Sequence, residues 1–362
     1  MSGSTPGTSM RSYQLVGYRA PLERREGPRP EPAGDEVLLA VEACGVCHSD
    51  LHLADGYFDL GDGRRLDLAA GRDLPFTLGH EIAGIVVARG PGAAGVEVGE
   101  RRVVYPWIGC GGCPTCDRGD EHLCAVPRAL GITRAGGFAD HVLVPHARYL
   151  FDAGPVAVAR AATCACSGLT AYGALRKVAA RRDPVPHLLV VGLGGVGMAA
   201  LGLAPSVVTA DILAADVDPA KLDAVRGRGA AWTVDAGAAD AAKQVRRRTG
   251  GGAAAAIDFV GSPQSAAFAL GALAPGGTLV VVGLFGGALR LSLPLLPLKQ
   301  LTVRGSYVGS LAEMAELMAL VRANGVPSLP IDERPLAEAQ AALDDLRTGG
   351  VLGRAVLRPG AG

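Results

Sequence analysis

The sequence predicts an α/β protein of two domains, one rich in β structure and one built on a doubly wound parallel sheet. Three observations lead to this prediction. At 362 residues, the chain exceeds the length over which a single hydrophobic core usually grows. Residues 12–146 contain short apolar runs interrupted by Gly and Pro, which is typical of irregular β structure. From Leu188 onward, apolar strands alternate with Ala-rich helical stretches, as in βαβ units.

The predicted elements follow the chain in order. Strands of the first domain are predicted at 36–41, 82–87 and 102–104. In the second domain, strands are predicted at 188–191, 212–215, 254–260 and 278–283, and helices at 195–204, 219–227, 238–248 and 263–273. Pro205 predicts that the first of these helices is shortened. A strand-like segment at 301–306, a helix at 310–323, a Pro-containing link and a helix at 336–347 follow.

The charge balance favours a small-molecule partner. Lys plus Arg and Asp plus Glu each total 35, and no long block of one sign occurs. This argues against the electrostatic footprint of a protein that binds nucleic acid or a membrane. The opening MSGSTPGTSMRSY lacks the apolar core of a signal peptide, and no stretch reaches about 18 uninterrupted apolar residues. We therefore expect a cytoplasmic protein.

Four of the eight cysteines follow the spacing C-x2-C-x2-C-x7-C, namely Cys110, Cys113, Cys116 and Cys124. In a long chain without a secretion signal, such cysteines favour metal ligands over disulfides. Four thiolates on one tight loop can close a tetrahedron around zinc, which leaves no open position for a substrate. We interpret the loop as a structural zinc site. Coincidental cysteines and an iron–sulfur cluster are the alternatives.

Further metal-ligand side chains are scattered over GVCHSDLH at 45–52, GHE at 79–81 and CSGLT at 166–170. A catalytic zinc commonly takes three protein ligands and keeps a fourth position for water or substrate. Spacing alone leaves several candidates for the ligands: Cys44, Cys47, His48, His52, His80, Cys164 and Cys166.

A glycine-rich turn follows the predicted strand at 188–191 and opens a helix, with the pattern G-x-G-x-x-G. In this pattern Gly192 permits a tight turn, Gly194 lets the backbone approach a pyrophosphate, and Gly197 permits close packing of helix and strand. The helix N-terminus attracts phosphate charge. Asp216, at the end of the next predicted strand, can bind ribose hydroxyls and repel a 2′-phosphate, with Asp218 as its rival. The predicted cofactor is NAD rather than NADP.

GVCHSDLH, GHE, the four-cysteine loop, CSGLTAY and the glycine motif together resemble the zinc-containing medium-chain alcohol dehydrogenases, in family order, from about Glu36 to Leu357. Pro106-Trp107 and GLFG at 283–286 resemble the microbial NAD-dependent branch. The resemblance implies a GroES-like catalytic domain formed by 1–168 and 308–362, and a Rossmann domain formed by 169–307. It also implies a homotetramer or homodimer, assembled partly through 301–306.

The resemblance also assigns roles to single residues. It implies that Cys47, His80 and Cys166 bind a catalytic zinc, so that each subunit holds two zinc ions, and that Cys44 and Cys164 are buried hydrophobes. Glu81 would approach the metal, Asp50 would orient His80, and Ser49 and His52 would remove the hydroxyl proton. The implied cofactor contacts are His48, Thr170, Gly192, Gly194, Gly195, Val196, Gly197, Asp216, Leu284 and Arg354. Taken singly, His48 and His52 are also consistent with surface histidines, and Asp50 with a helix cap.

The implied function is transfer of a hydride between NAD and a primary or secondary, hydrophobic alcohol, with Trp107, Tyr57 and Leu284 as pocket walls. One alternative is a related dehydrogenase for a polyol, a hydroxyacyl thioester or a glutathione adduct. The sequence shows no obvious basic cluster for such anionic groups. Others are a nonenzymatic nucleotide-binding protein and a zinc-ribbon nucleic-acid module, which the neutral net charge disfavours.

Overall fold

The computed structural model describes residues 9–325 and 329–360. Residues 1–8, which begin the segment predicted to lack a signal peptide, lie outside the described residues. So do residues 326–328, within the predicted Pro-containing link, and the last two residues.

The N-terminal part consists mainly of short strands. Its strands are β1 (Ser9–Leu15), β2 (Glu23–Pro28), β3 (Val37–Gly45), β4 (Tyr57–Gly61), β5 (Arg64–Asp67), β6 (Phe76–Thr77), β7 (Glu81–Arg89), β8 (Arg101–Val104), β9 (His141–Val144) and β10 (Leu150–Phe151). Its helices are α1 (His48–Asp55), α2 (Pro114–Asp117) and α3 (Val158–Thr163). The predicted strands at 36–41, 82–87 and 102–104 correspond to β3, β7 and β8.

The middle part alternates helices and strands. Its helices are α4 (Leu169–Ala179), α5 (Gly195–Val207), α6 (Pro219–Val225), α7 (Ala241–Arg248), α8 (Pro263–Ala272) and α9 (Leu295–Lys299). Its strands are β11 (His187–Val191), β12 (Asp211–Asp216), β13 (Trp232–Asp235), β14 (Ala253–Asp258), β15 (Leu273–Val281) and β16 (Thr302–Gly305). The last part contains α10 (Leu311–Asn324), β17 (Ile331–Pro335), α11 (Ala339–Thr348) and β18 (Arg354–Arg358).

The middle strands form a parallel sheet in the order β13-β12-β11-β14-β15-β16. This order, in which the chain begins in the centre and winds outward in both directions, is that of a Rossmann fold. Alternate residues of β11 pack on opposite sides: Leu188 and Val190 belong to the main core, and Leu189 and Val191 to a second cluster. Burial on both faces explains why such strands are apolar throughout. The predicted fold class is confirmed.

The last two strands return to the N-terminal part. Its largest sheet has the order β10-β8-β7-β3-β18-β17, and β9 also pairs with β3. β18 is antiparallel to β3, with Val356 opposite Gly45 and Leu357 opposite Cys44. β1, β2 and β6 form a smaller sheet, and β4 pairs with β5. The division into two domains, 1–168 with 308–362 and 169–307, stays a prediction. Near the predicted domain borders, α4 packs against both α5 and α10.

The structure differs from the predictions in several places. α5 continues through Pro205 to Val207, so the predicted shortening is wrong. Pro205 stands in the last turn of the helix, where its missing amide removes only one backbone hydrogen bond. β13 was not predicted, because its four residues carry little apolar periodicity. Among the described residues, no helix combines the length and the apolar character that crossing a membrane requires.

Candidate active site

A cavity of about 330 Å³ lies between the two parts of the chain. One wall contains residues at the start of α1, and the other contains the glycine-rich turn after β11 and the residues that follow β12, β14 and β15. Ligands of open α/β sheets bind outside the carboxyl ends of the strands, which is where this cavity lies. All ten residues predicted to contact the cofactor line it, as do Cys47, Ser49, His52 and Cys166.

Cys47 and Cys166, which line this cavity, form a compact group with the buried His80. Their ligand atoms all lie within 4.8 Å of one another, and the two sulfur atoms are 4.0 Å apart. Both ring nitrogens of His80 are buried and neither forms a hydrogen bond of good geometry, although Nδ1 lies near the Asp50 carboxylate. A hydrogen bond from Cys166 and the charge of Arg354 lower the pKa of Cys47, although burial opposes them. Since tetrahedral zinc separates sulfur ligands by about 3.8 Å and takes thiolate and neutral imidazole, these three residues fit a zinc ion.

Three different backbone features bring these residues together. Cys47 is the N-cap residue of α1, and His80 immediately precedes β7. Cys166 lies in a π-helical turn, Cys164–Gly168, between α3 and α4. Such insertions occur often at functional sites because they redirect side chains out of the α-helical repeat. Cys44 and Cys164 lie outside the three-residue group and are fully buried, and burial raises the pKa of Cys164 to about 12.

Asp50 links Cys47 to the chain segment that carries His80. One carboxylate oxygen accepts a hydrogen bond from the amide of Cys47 at 2.8 Å. The other accepts from the amide of Gly79 at 3.2 Å and lies 3.3 Å from Nδ1 of His80. The whole side chain is buried. The capping interaction and the predicted contact with His80 therefore occur together.

Glu81 and Arg354 form a second polar group behind the cysteines. Arg354 donates to both carboxylate oxygens of Glu81, with one distance of 2.9 Å, and Ser167 donates its amide to Glu81 at 3.0 Å. A side chain at Gly45 would collide with Glu81, so glycine is required there. Arg354, predicted to contact the cofactor pyrophosphate, lines the cavity but directs its guanidinium to Glu81.

Ser49, His48 and His52 lie on the first turns of α1 and line the cavity. The ring of His52 packs against that of Phe58, with centroids 4.6 Å apart. Burial lowers the pKa of both histidines. Both rings are therefore largely neutral at neutral pH. His52 in this form can accept a proton, whereas neutral His48 offers a phosphate a hydrogen bond rather than a full charge.

The glycine-rich turn has the shape that a dinucleotide requires. Gly192 has a φ of 88°, and a Cβ there would meet Val260. A Cβ at Gly197 would collide with the Gly192 carbonyl oxygen, so helix and strand approach closely. At Gly194, by contrast, a Cβ would meet nothing within 4 Å. Protein packing therefore does not require glycine at 194, and the open space fits a pyrophosphate above the N-terminus of α5.

Asp216 and Asp218 have different surroundings. Asp216 lines the cavity and accepts hydrogen bonds from the amides of Leu193, at 2.6 Å, and Asp218, at 2.9 Å. Asp218 is the N-cap of α6 and accepts from the amide of Ala220. Asp216 thus has the position from which a carboxylate can reach a ribose.

Several cavity residues were missed by the sequence analysis. Tyr307 packs edge-on against Trp107 at 5.7 Å, Phe259 and Phe285 contribute apolar surface, and Lys221 brings a cation from α6. The signal for Lys221 was its position one turn into the helix after Asp216. Tyr57, predicted as a pocket wall, does not line the cavity; its ring packs instead against the guanidinium groups of Arg65, at 4.1 Å, and Arg19, at 5.4 Å.

Cys110, Cys113, Cys116 and Cys124 form a second compact group, and none of them lines the cavity described above. Their sulfur atoms lie within 4.8 Å of one another, with pairs at 3.6, 3.8 and 3.9 Å. The amides of Cys110 and Val126 donate to the sulfur of Cys124. Backbone hydrogen bonds lower the pKa of Cys113 to about 6. Four ligands at these separations fit a closed zinc tetrahedron.

Glu121, which the sequence analysis missed, anchors this four-cysteine loop. Its carboxylate accepts from the amide of Gly109 at 3.2 Å, from the hydroxyl of Tyr149 at 2.8 Å and from Arg148 at 2.5 Å. Since Tyr149 directly precedes β10, these bonds connect the loop to the main N-terminal sheet.

Known alcohol dehydrogenases resemble this chain over nearly its whole length. Residues 33–153 match the alcohol dehydrogenase GroES-like domain, and residues 195–323 match the zinc-binding dehydrogenase domain. NAD-dependent alcohol dehydrogenases from Sulfurisphaera tokodaii and Saccharolobus solfataricus are each 39% identical over 97% of this chain and 100% of theirs. The crystal structure of the alcohol dehydrogenase from Aeropyrum pernix superposes with a TM-score of 0.87, at 32% identity, over 96% of this chain and all of that one. The chain belongs to the zinc-containing, NAD-dependent alcohol dehydrogenase family.

Proposed function

We propose that this protein oxidises hydrophobic primary or secondary alcohols with NAD, and reduces the corresponding aldehydes or ketones, in the cavity of about 330 Å³. The observation that supports this proposal is that Cys47 and Cys166, which are grouped with His80, line the same cavity as the glycine-rich turn. A Lewis acid and a hydride acceptor bound there would meet the same substrate carbon–oxygen group.

Cys47, His80 and Cys166 would hold the catalytic zinc, and the four-cysteine loop a second, structural one. When bound, zinc supplies a Lewis acid that polarises the substrate oxygen, and NAD supplies the hydride acceptor. Asp50 would fix the ring of His80 through Nδ1, which leaves Nε2 for the metal. Glu81 would keep its charge balanced by Arg354 behind the cysteines.

Ser49 and His52 would remove the hydroxyl proton. Ser49 lies beside Cys47 at the cavity wall and has a hydroxyl that can both accept and donate a hydrogen bond. His52, three residues further along α1, lies on the same face of the helix and is partly exposed. A proton accepted by Ser49 could therefore pass to neutral His52 and then to solvent.

The cofactor would lie along the opposite wall. Gly192, Gly194, Gly195, Val196 and Gly197 would surround its pyrophosphate, and Asp216 would accept hydrogen bonds from the adenosine ribose. Lys221 could support the same ribose from α6. His48, Thr170, Leu284 and Arg354 are the other cavity residues proposed to contact the cofactor.

The substrate end of the cavity supports an apolar substrate. Trp107, Tyr307 and Leu284 present rings and an alkyl side chain, and Trp107 is held by a hydrogen bond from its Nε1 to the Ala165 carbonyl at 3.0 Å. Of the two Lys or Arg side chains that line the whole cavity, Arg354 is paired with Glu81 and Lys221 lies 3.8 Å from the Asp218 carboxylate. A dedicated anion-binding group for a thioester or glutathione substrate is therefore not favoured here.

We also propose a cytoplasmic homodimer or homotetramer. None of the eight cysteines forms a disulfide, which suits a reducing compartment. β16 is the edge strand of the parallel sheet, and nearby Leu293, Leu298 and Val303 expose apolar side chains. Pairing of this edge with a second copy would cover both the open backbone and these side chains.

The proposal is tested by NADH formation with a panel of benzylic, cyclic and straight-chain alcohols, and with polyols as the contrasting class. We expect kcat/KM to rise with the apolar surface of the alcohol and NADP to be a poor substitute for NAD. Turnover of polyols alone would replace the hydrophobic substrate class. Absence of any turnover in zinc-loaded protein that binds NADH would favour a nonenzymatic role.

A further inference from the structure

A second cavity, of about 350 Å³, lies at the other end of the parallel sheet. Its lining includes Gly276 and Thr278 of β15, whereas the first cavity includes Val282, which follows the same strand. The four residues from Thr278 to Val282 span roughly 13 Å of strand, so the two cavities open at opposite ends of the strands. The second cavity is therefore separate from the cofactor and zinc sites.

Four cations surround this cavity. Lys177, Arg181 and Arg182 come from the end of α4 and the turn after it, and Arg304 comes from β16. Asp183 is the single carboxylate among the lining residues. None of the four cations forms an ion pair within the part of the chain that the structure describes. One residue before Lys177, by contrast, Arg176 is paired with Glu316 at 3.6 Å.

The sheet presents further hydrogen-bond donors to the same space. Thr278 and Thr302 stand opposite each other in neighbouring strands, so their side chains share one face of the sheet. Arg304 follows Thr302 by two residues and lies on that face as well. The hydroxyls and the guanidinium therefore point toward the end of α4, and all three residues line the cavity.

Arg181 is fixed in place and still has an unused donor. Its guanidinium donates to the hydroxyl of Thr278 and, at 3.1 Å, to the carbonyl of Gly276. Its Nε is buried and has no hydrogen-bond partner in the described structure. A buried donor without an acceptor is unfavourable, and a ligand that carries oxygen acceptors would satisfy it.

We propose that this cavity binds a small multivalent oxyanion, such as a compound with several phosphate or carboxylate groups. The lining carries four cations and one carboxylate, so a ligand with two or more negative charges would balance the excess positive charge. Arginine forks and threonine hydroxyls bind phosphate and carboxylate oxygens directly. The cavity is larger than a single small ion requires, so it can hold a ligand with several anionic groups. The sequence showed no such cluster, because Arg182 and Arg304 are 122 residues apart.

The site remains available if β16 pairs with a second copy. Strand pairing uses the backbone of the edge strand, whereas Thr302 and Arg304 bind through side chains above one sheet face. The inference is also independent of the alcohol substrate, because no residue of the first cavity contributes to the second.

The test is isothermal titration calorimetry of the zinc-loaded full chain with tripolyphosphate or with citrate, in the presence of saturating NADH. NADH fills the pyrophosphate position beside Gly194, so that the probe reports on the second cavity. We expect one saturable site per chain, with an affinity that falls as salt is raised. The two probes distinguish a phosphate ligand from a carboxylate ligand.

The decisive variant is R182Q/R304Q. Both arginines are exposed, and their side chains form no hydrogen bond or ion pair within the described residues, so the fold should persist, as the thermal midpoint would verify. We expect at least about tenfold weaker binding, the equivalent of one well-formed charged contact. R134Q removes an exposed arginine elsewhere that has no ion pair among the residues the structure describes, and it should leave the affinity unchanged. Absence of saturable binding to the wild type, or equal affinities in R182Q/R304Q and R134Q, would overturn the proposal.

Discussion

Arg354 and Glu81, 273 residues apart in the sequence, are joined by two hydrogen bonds in an almost fully buried ion pair. Arg354 begins β18 and Glu81 begins β7, and both strands flank β3 in the same sheet. The pair therefore fixes the chain's last strand against the backbone that carries His80. It also holds Cys166 in place, because Glu81 accepts from the amide of Ser167.

Removal of one member of this pair should strongly destabilise the protein. Glu81→Ala leaves the Arg354 charge buried and uncompensated, and we expect the free energy of unfolding to fall by about 3–5 kcal/mol. Urea unfolding followed by circular dichroism measures the change. The control is Asp223→Ala, which breaks the exposed pair with Arg226 and should have little effect. Equal losses in the two variants would show that the buried pair contributes no special stability.

The catalytic zinc position is tested by comparing two cysteines of one π-helical turn. Cys166→Ala removes a proposed ligand, and we expect kcat/KM for alcohols to fall by about 10³-fold, since the Lewis acid supplies several kcal/mol. Zinc content should fall from two ions per chain to one, with NADH binding retained. Cys164→Ala changes an equally buried thiol outside the ligand group and should retain both ions. Full zinc content in Cys166→Ala would contradict the assignment.

The four-cysteine loop is expected to support stability rather than chemistry. Cys116→Ala should lose one zinc ion per chain and lower the thermal midpoint, because binding of a structural metal contributes directly to folding. At a temperature where the variant stays folded, kcat should change by less than about twofold, since no open coordination position exists in this loop. Thr115→Ala, in the same loop, serves as the control for local packing. A large loss of kcat in folded Cys116→Ala would contradict a purely structural role.

The pH dependence should report on His52. Burial lowers the pKa of His52, so the neutral ring, which can accept a proton, is present above that lowered pKa. As pH falls through this value, below the ordinary 6.5 of histidine, the ring becomes protonated and alcohol oxidation should decrease. Steady-state kcat measured between acidic and neutral pH shows this limb.

The variant His52→Gln tests whether His52 causes this fall of kcat at acidic pH, the acidic limb of the profile. We expect about a hundredfold lower kcat for alcohol oxidation and loss of the acidic limb, because glutamine cannot accept the proton. His146→Gln, which changes a histidine outside the cavity, should keep both the rate and the limb. An unchanged pH profile in His52→Gln would assign the proton transfer to another group.

Cofactor choice should depend on Asp216 and not on Asp218. Asp216→Asn removes the charge that repels a 2′-phosphate but keeps an acceptor for the amide of Leu193. We expect the ratio of kcat/KM for NAD to that for NADP to fall at least about tenfold, or ~1.4 kcal/mol. Asp218→Asn removes the same charge, and asparagine is an equally good N-cap, so its ratio should not change. Comparable shifts in both variants would indicate a general charge effect.

The sequence by itself determined the features that depend on neighbouring residues. Gly192 and Gly197 belong to a turn whose geometry is fixed within six residues, and the four-cysteine loop closes within fifteen. The alternation of strands and helices after Leu188 predicted the parallel sheet because burial on both faces requires apolar strands. β13 was missed and the end of α5 was placed too early, since short elements and helix ends carry weak local signals.

Only the tertiary structure decided which distant side chains meet. Spacing alone could not choose between Cys44 and Cys166 as metal ligands. In the described structure the π-helical turn places Cys166 beside Cys47 and His80, whereas Cys44 lies outside this group. Nothing local indicated that Arg354 turns its guanidinium to Glu81. Likewise, no local pattern indicated that Arg182 and Arg304 line one cavity. These contacts depend on the pairing of strands and the packing of helices far apart in the chain, which local patterns do not encode.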